Sequence, residues 1–453
     1  MLKSWIEWQL RFYIYIFKQR IKMEKLIFWE MNEINFNYVN FYIDKGKLPN
    51  WKKFIEDHGL FKTISENKYE DLEPWIQWPS VRTGLTNQDH GLFRLGDIEG
   101  SGLKQHWEII EENGYTVAAI SPINGANNTQ NSPFWIPDPW VETKVSGKGF
   151  ISRIAEAIKQ AVNDNSQEKL ETKTILAIFE GLLTKSQLSS WPQYISGLFG
   201  VIKRQHWSKA IILDRLLSDI FVCLWSKYQP DFSVLFLNSG AHIQHHYMCN
   251  SSAYNGQVKN PSWYINEQKD PLLEILELYD SVLYELQKIK NTRLMIAVGI
   301  QQIPYEKATF YWRLKDHDAF VTKLGIKYKK IQPRMTRDFL IEFHNHGDLI
   351  KAESILTNIK SDSGEKIFSE VDNRGKDLFV TLTHSDDISE QFSVFLDAKE
   401  FTNFRDDVVF VAIKNGHHNK VGYYLDSNRK PNDLKNYLPV HKIFDFIMNH
   451  FKL

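Results

Sequence analysis

The sequence predicts an α/β fold: a mostly parallel central sheet flanked by helices on both faces, with an insertion. Three observations carry that expectation. Short apolar runs of buried-strand type recur at 25–29, 116–121, 231–237, 293–300 and 407–413. Amphipathic helical patterns stand between them, the clearest being P-L-L-E-I-L-E-L-Y-D-S-V-L-Y-E-L at 271–286. The helical stretch 104–113 stops at Gly114 and leads into T-V-A-A-I-S, and helix, glycine, strand is the rhythm of parallel units.

The elements follow in order. K-L-I-F-W opens as a strand ending at Glu30, and helices are expected over 35–44 and 51–57. F-K-T-I-S (61–65) fits a strand. The segment 122–148, with N-G-A-N-N and W-I-P-D-P-W, has the composition of a long ordered loop. Residues 149–228 carry helical periodicity, 231–237 and 293–300 are core strands, and 305–400 are less regular. D-V-V-F-V-A-I (407–413) is the last expected core strand, and a helix over 441–451 closes the chain. The expected organisation is an N-terminal amphipathic extension (1–22), an α/β core (23–304), an insertion or cap (305–404) and the C-terminal part of the core (405–453).

Composition narrows the functional classes. Lys plus Arg equals Asp plus Glu at 55 each, so no global field favours nucleic acid. Two cysteines, Cys223 and Cys249, cannot build a disulfide framework, which suits a reducing, cytoplasmic setting. The run W-I-E-W-Q-L-R-F-Y-I-Y-I-F-K-Q-R is broken by Glu7 and Arg11 and is too short to span a bilayer. Its aromatic and basic mixture fits either a helix packed on the body or peripheral membrane contact through residues 4–20. No P-loop, dinucleotide fingerprint, G-x-S-x-G or H-E-x-x-H occurs.

Ligands of open α/β sheets collect beyond the carboxyl ends of the strands. Four apolar runs deliver polar groups there: Glu30 and Asn32; Asn238 and His242, with His245 and His246 beyond; Gln301 and Gln302; and His417 and His418. The stretch E-P-W-I-Q-W-P-S-V-R-T-G-L-T adds Trp75 and Trp78 around a helix start, with Glu73 and Gln77 beside them.

In this order, L-I-F-W-E, W-P-S-V-R-T-G-L, L-F-L-N-S-G-A-H, A-V-G-I-Q-Q and G-H-H-N-K-V-G resemble the alkaline phosphatase superfamily, and within it the type I phosphodiesterase/nucleotide pyrophosphatase branch. The resemblance implies two divalent ions, about 4 Å apart, that stabilise the attacking and leaving oxygens of an ester. It places metal ligands at Glu30, Asn238, His242, His417 and His418. The departures are specific. Asn238 and Gln301–Gln302 stand where the family has charged or imidazole ligands, and the nucleophile position falls on Pro74 or Gln77, neither with a hydroxyl.

Two readings follow. One is a diverged hydrolase of a small-molecule phosphate or sulfate ester, sugar- or nucleotide-linked, with one divalent ion (zinc or manganese) or none. There Glu73 and Gln77 are the catalytic candidates, and Asn32, Trp75, Trp78, His246, Gln301, Gln302 and Arg337 contact substrate. The other is a non-catalytic relative that uses the pocket for binding or assembly. Each residue also has a structural alternative: Glu30 as a helix-start carboxylate, the tryptophans as core, and Cys249 as a small buried residue.

Overall fold

The computed structural model describes residues 23–163, 171–334, 337–434 and 437–453. The expected extension 1–22 and its membrane contact through residues 4–20 lie outside them.

The central sheet has eight strands: β1 (Lys25–Met31), β2 (Phe61–Ile64), β3 (Val117–Ile120), β4 (Trp135–Ile136), β5 (Phe232–Leu237), β6 (Thr292–Val298), β7 (Val421–Asp426) and β8 (Leu438–Pro439). Their spatial order is β8-β2-β7-β6-β1-β5-β3-β4. β6, β1, β5, β3 and β4 run parallel, while β7 is antiparallel to both β6 and β2. Helices cover both faces, as β1 makes plain. Leu26 and Phe28 join one apolar cluster, whereas Ile27, Trp29 and Met31 join another. Alternate side chains point to opposite faces of a strand, so a central strand with a helical layer on each side must be apolar throughout.

Most expected elements stand where the pattern places them, including the helices Phe36–Asp44, Pro49–His58, His106–Glu112, Pro271–Gln287 and Ile443–Phe451. Two expectations are corrected. The run 407–413 forms a strand, Val408–Ile413, but it pairs antiparallel with Phe310–Leu314 outside the central sheet. The sheet's late strand is β7. Its Gly422 and paired tyrosines hid it from a search for continuous apolar runs. Glycine is required there, because a Cβ would lie 2.1 Å from the Val298 carbonyl oxygen. The loop 122–148 contains β4, whose two residues are too few to leave a periodic signal.

The insertion has a core of its own, running from Trp312 to Val408 and including Phe320, Phe339, Phe368 and Phe404. A four-stranded antiparallel sheet frames it. The chain then returns through the short strand Gly416–Asn419, which pairs with Gln301–Pro304 just past β6. That strand pair closes the base of the insertion beside the carboxyl edge of the sheet.

Candidate functional site

Three chain segments leave the carboxyl edge and meet. From β1, the chain passes through Asn32 and Glu33 before the helix Phe36–Asp44, which Asn35 caps by accepting from the Asn37 amide. Glu33 sits at φ 60°, in the left-handed region. Non-glycine residues rarely occupy it, and those that do concentrate at functional sites. From β5, the helix Ser239–Tyr247 starts at once. Buried Asp214 fixes its first turn by accepting from the Ser239 amide (2.9 Å) and the Tyr279 hydroxyl (2.6 Å). His242, His245 and His246 are three and four residues apart on this helix and so share a face. From β6, the Gln301–Pro304 strand sets Gln302 opposite His418.

Glu33 is the centre. One of its oxygens, Oε2, lies 3.0 Å from His245 Nε2 and 3.1 Å from His418 Nε2, and accepts from Gln302 Nε2 at 2.6 Å. The other accepts from Asn32 Nδ2 at 3.0 Å. Glu33, His245 and His418 offer one ligand atom each, all within 4.8 Å of one another. Burial opposes charge on Glu33, yet His418 and His245 hold its carboxyl far below the usual range. Burial likewise opposes charge on His418, but Glu33, its hydrogen bond and Glu73 raise the imidazole to about 9. The second carboxylate, Glu73, lies 3.5 Å from His418 Nδ1. Burial, with the negative charges of Glu33 and Asp338, pushes its pKa up to about 7 against the pull of His418 and Lys414.

The surrounding cleft mixes imidazole, phenol and cation. His242 is open to solvent, yet burial among neighbouring groups and the charge of His245 pull its pKa to about 4. Its ring lies 4.8 Å from that of buried His246. His417 lies 5.4 Å from the Tyr305 ring and 6.2 Å from Tyr69. Lys414 sits over Tyr305, and the insertion's Arg337 lies 4.4 Å from the Tyr311 ring centre while donating to the Leu382 carbonyl. Burial and Arg337 lower the Lys414 pKa, with Glu73 opposing.

The other expected site residues are placed as follows. Both oxygens of Glu30 accept from Arg82 in a fully buried pair, beneath the cleft rather than in it. Asn238 accepts from Asn32 at 2.8 Å. Gln301 accepts from the Tyr423 hydroxyl, and Gln77 is buried with its amide on the Asp71 carbonyl. Trp78 is wholly buried against Phe236 and donates to Asn32, whereas Trp75 is half-buried and donates to the Phe93 carbonyl. Ser80 Oγ lies 3.0 Å from His90 Nε2. The Leu92 amide donates to His90 Nδ1, so neutral His90 carries its proton on Nε2 and donates to the serine. His90 is no base for Ser80.

Glu33 and His245 were not among the expected ligands. The strand-end rule placed His245 beyond the second run but stopped at Glu30 and Asn32 on the first; β1 runs on to Met31, so Glu30 still lies within the strand and the carboxylate at its end is three residues later. A cavity of 990 Å³ opens at the opposite, amino-terminal edge of the strands, lined by Lys25, Trp225, Asp231 and Lys288 among others. The histidines lie at the other edge, so chemistry is assigned by side-chain geometry rather than by cavity size.

Fold and site together define a large α/β protein with an acidic–histidine cluster at the carboxyl edge of its sheet. Among solved structures, the chain is similar in fold, over nearly its whole length and at low identity, to several proteins. A phosphonoacetate hydrolase from Sinorhizobium meliloti, bound to phosphonoformate, shares 11% identity at a TM-score of 0.46, with 94% of this chain and 96% of that one covered. Murine ectonucleotide pyrophosphatase/phosphodiesterase 5, in complex with AMP, shares 10% identity at a TM-score of 0.40, with 95% of each chain covered. Alkaline phosphatase from the Antarctic bacterium TAB5 shares 13% identity at a TM-score of 0.38, with 95% and 99% covered. No family profile matches the chain, and no curated protein matches it by sequence.

Proposed function

We propose that this chain is a diverged hydrolase of a small-molecule phosphate or sulfate ester, with a site for one divalent ion. The observation that carries the reading is the convergence of Glu33, His245 and His418 at the carboxyl edge of the sheet. Two imidazoles and one carboxylate are a fitting donor set for catalytic zinc, which takes three protein ligands and leaves one position open. Manganese accepts the same donors. Binding would require His418 to give up the proton it shares with Glu33. When bound, the ion supplies Lewis-acid stabilisation of charge on the ester oxygens.

The chain's own residues supply the rest. Glu73, with a pKa of about 7, is poised near neutrality to take a proton from attacking water. Arg337 and Lys414 hold the anionic group at the mouth of the cleft. Trp75, Tyr69 and Tyr305 offer aromatic faces to a sugar or base linked to the ester. Pro74 and Gln77, the two positions where the family resemblance puts a nucleophilic hydroxyl, carry none, so water attacks the ester directly and no ester to the enzyme forms. Two free cysteines suit action in the cytoplasm.

A second reading has one observation in its favour. Imidazolium His418 between Glu33 and Glu73 is a self-satisfied ion cluster that needs no metal, which suits a binding module for an anion. Metal content separates the two. The hydrolase reading expects stoichiometric zinc or manganese by mass spectrometry, lost in Glu33→Gln and His245→Ala, and turnover of generic phosphomonoesters, phosphodiesters or sulfate esters. Metal-free protein without turnover leaves the binding module.

A further inference from the structure

Between Ile175 and Ile202, ten large apolar side chains stand exposed, among them Leu176 at 63%, Leu188 at 90%, Phe199 at 59% and Ile202 at 76%. They belong to two short helices, Thr172–Lys185 and Trp191–Ile202, joined through a tip at Leu188. The inward faces are mostly small. Gly181 meets Leu216 and Phe150, while Gly197 and Gly200 meet Ile212 and Ser208 of the helix Trp207–Tyr228. Small residues toward the protein and large ones toward solvent invert the usual amphipathic arrangement. Apolar patches on this scale mark contact surfaces.

Charge identifies the partner. From Glu171 to Lys209 the chain carries five Lys/Arg against two Glu, in a protein whose totals balance at 55 each. Both glutamates are paired, Glu180 with Arg153 and Glu171 with Lys173. Lys173, Lys203, Arg204 and Lys209 are exposed around the apolar residues. Lysine is depleted at protein–protein contacts but favoured beside anionic lipid. The helices have 14 and 12 residues, too short to span a bilayer, and no described helix is long and apolar enough to cross one. We infer that these two helices dock the protein on an anionic lipid surface, bedding their exposed apolar side chains among the acyl chains with Lys203, Arg204 and Lys209 at the headgroups. The chain leaves them into the helix Trp207–Tyr228, whose Ala210 carbonyl accepts the Ser239 hydroxyl at the head of the histidine-bearing helix. Lys203 and Arg204, just before that helix, therefore lie toward the same sheet edge as the candidate site. The inference needs no metal and no turnover, so it stands or falls apart from the hydrolase reading.

The test is sedimentation of the full chain with phosphatidylcholine vesicles, with and without phosphatidylserine. The wild type should pellet with the anionic vesicles. Leu188→Glu/Phe199→Glu/Ile202→Glu should lose binding by about tenfold or more, with unchanged melting temperature and elution volume. Lys203→Glu/Arg204→Glu, which leaves the apolar face intact, should weaken binding only where phosphatidylserine is present. Wild-type protein that stays in the supernatant overturns the inference. So does an apolar-face variant that pellets like wild type, because the contact would then lie elsewhere, as in residues 4–20. A wild-type dimer that the same variant splits, without vesicle binding, makes the face a contact between copies.

Discussion

The Arg82 guanidinium is fully buried, donates to both oxygens of Glu30, and lies 5.3 and 5.7 Å from the Trp107 and Trp78 ring centres. Breaking such a pair strands a charge in low dielectric, whereas the pair itself roughly balances its desolvation. Glu30→Gln should therefore destabilise the fold by about 3–5 kcal/mol, read as a fall in the urea midpoint at constant slope. The same substitution at Glu33, which is just as buried, should affect metal content more than stability, because His245 and His418 can release a proton when the carboxylate is lost, whereas Arg82 cannot. Glu73→Gln separates base from ligand. It should lower kcat by about 10²–10⁴ while bound metal stays stoichiometric; equal loss of metal would place Glu73 among the ligands instead. From sequence, Glu30 was the candidate carboxylate at the end of the first apolar run, and Glu33 was passed over. Only the register of β1 against β5, in which Glu30 still pairs with Phe236, puts Glu30 inside the sheet and Glu33 beyond it.

At the level of elements, local pattern sufficed wherever an element stands in one continuous layer. The strands β1, β5 and β6 and the helix Pro271–Gln287 announce themselves because burial on both faces, or on one stripe, dictates their composition. It failed where pairing partners decide the outcome. Val408–Ile413 has the apolar content of a core strand, but Val409 and Val411 are 37% exposed because the strand belongs to the insertion's base. β7 is legible only once β6 is beside it. Gly422→Ala should test that close approach, since the new methyl would meet the carbonyl oxygens of Val298 and Gly299 rather than a side chain able to move. An expected loss of about 1–3 kcal/mol in denaturant unfolding follows, and a neutral substitution would show that the two strands can separate freely.

Across the whole molecule, one ion cluster ties β7 to the centre of the sheet. Asp426, at the end of β7, accepts from Arg293 of β6 and from Tyr424, and these partners lower its pKa against the opposing effect of burial. A depressed carboxylate contributes stability that is fully present above its unfolded value of about 3.9 and is lost as pH falls through the folded value. Buried Asp138 and Asp214 act in the opposite sense, because burial pushes both up to about 6. Their contribution grows as pH falls from about 6 toward 4. Urea midpoints between pH 7 and pH 3 should therefore drop most steeply below pH 4, and Asp426→Asn should flatten that drop while lowering stability at pH 7.

The sequence by itself determined the layered α/β architecture, the presence of an insertion and the gathering of polar groups at strand ends, because periodicity and composition respond directly to burial. It could not determine which polar groups meet. That depends on where each strand stops, which hairpin returns His418 from the far side of the insertion, and which carboxylate already has a buried partner. Contacts between residues hundreds of positions apart leave no trace in local pattern, and only the packed sheet decides them.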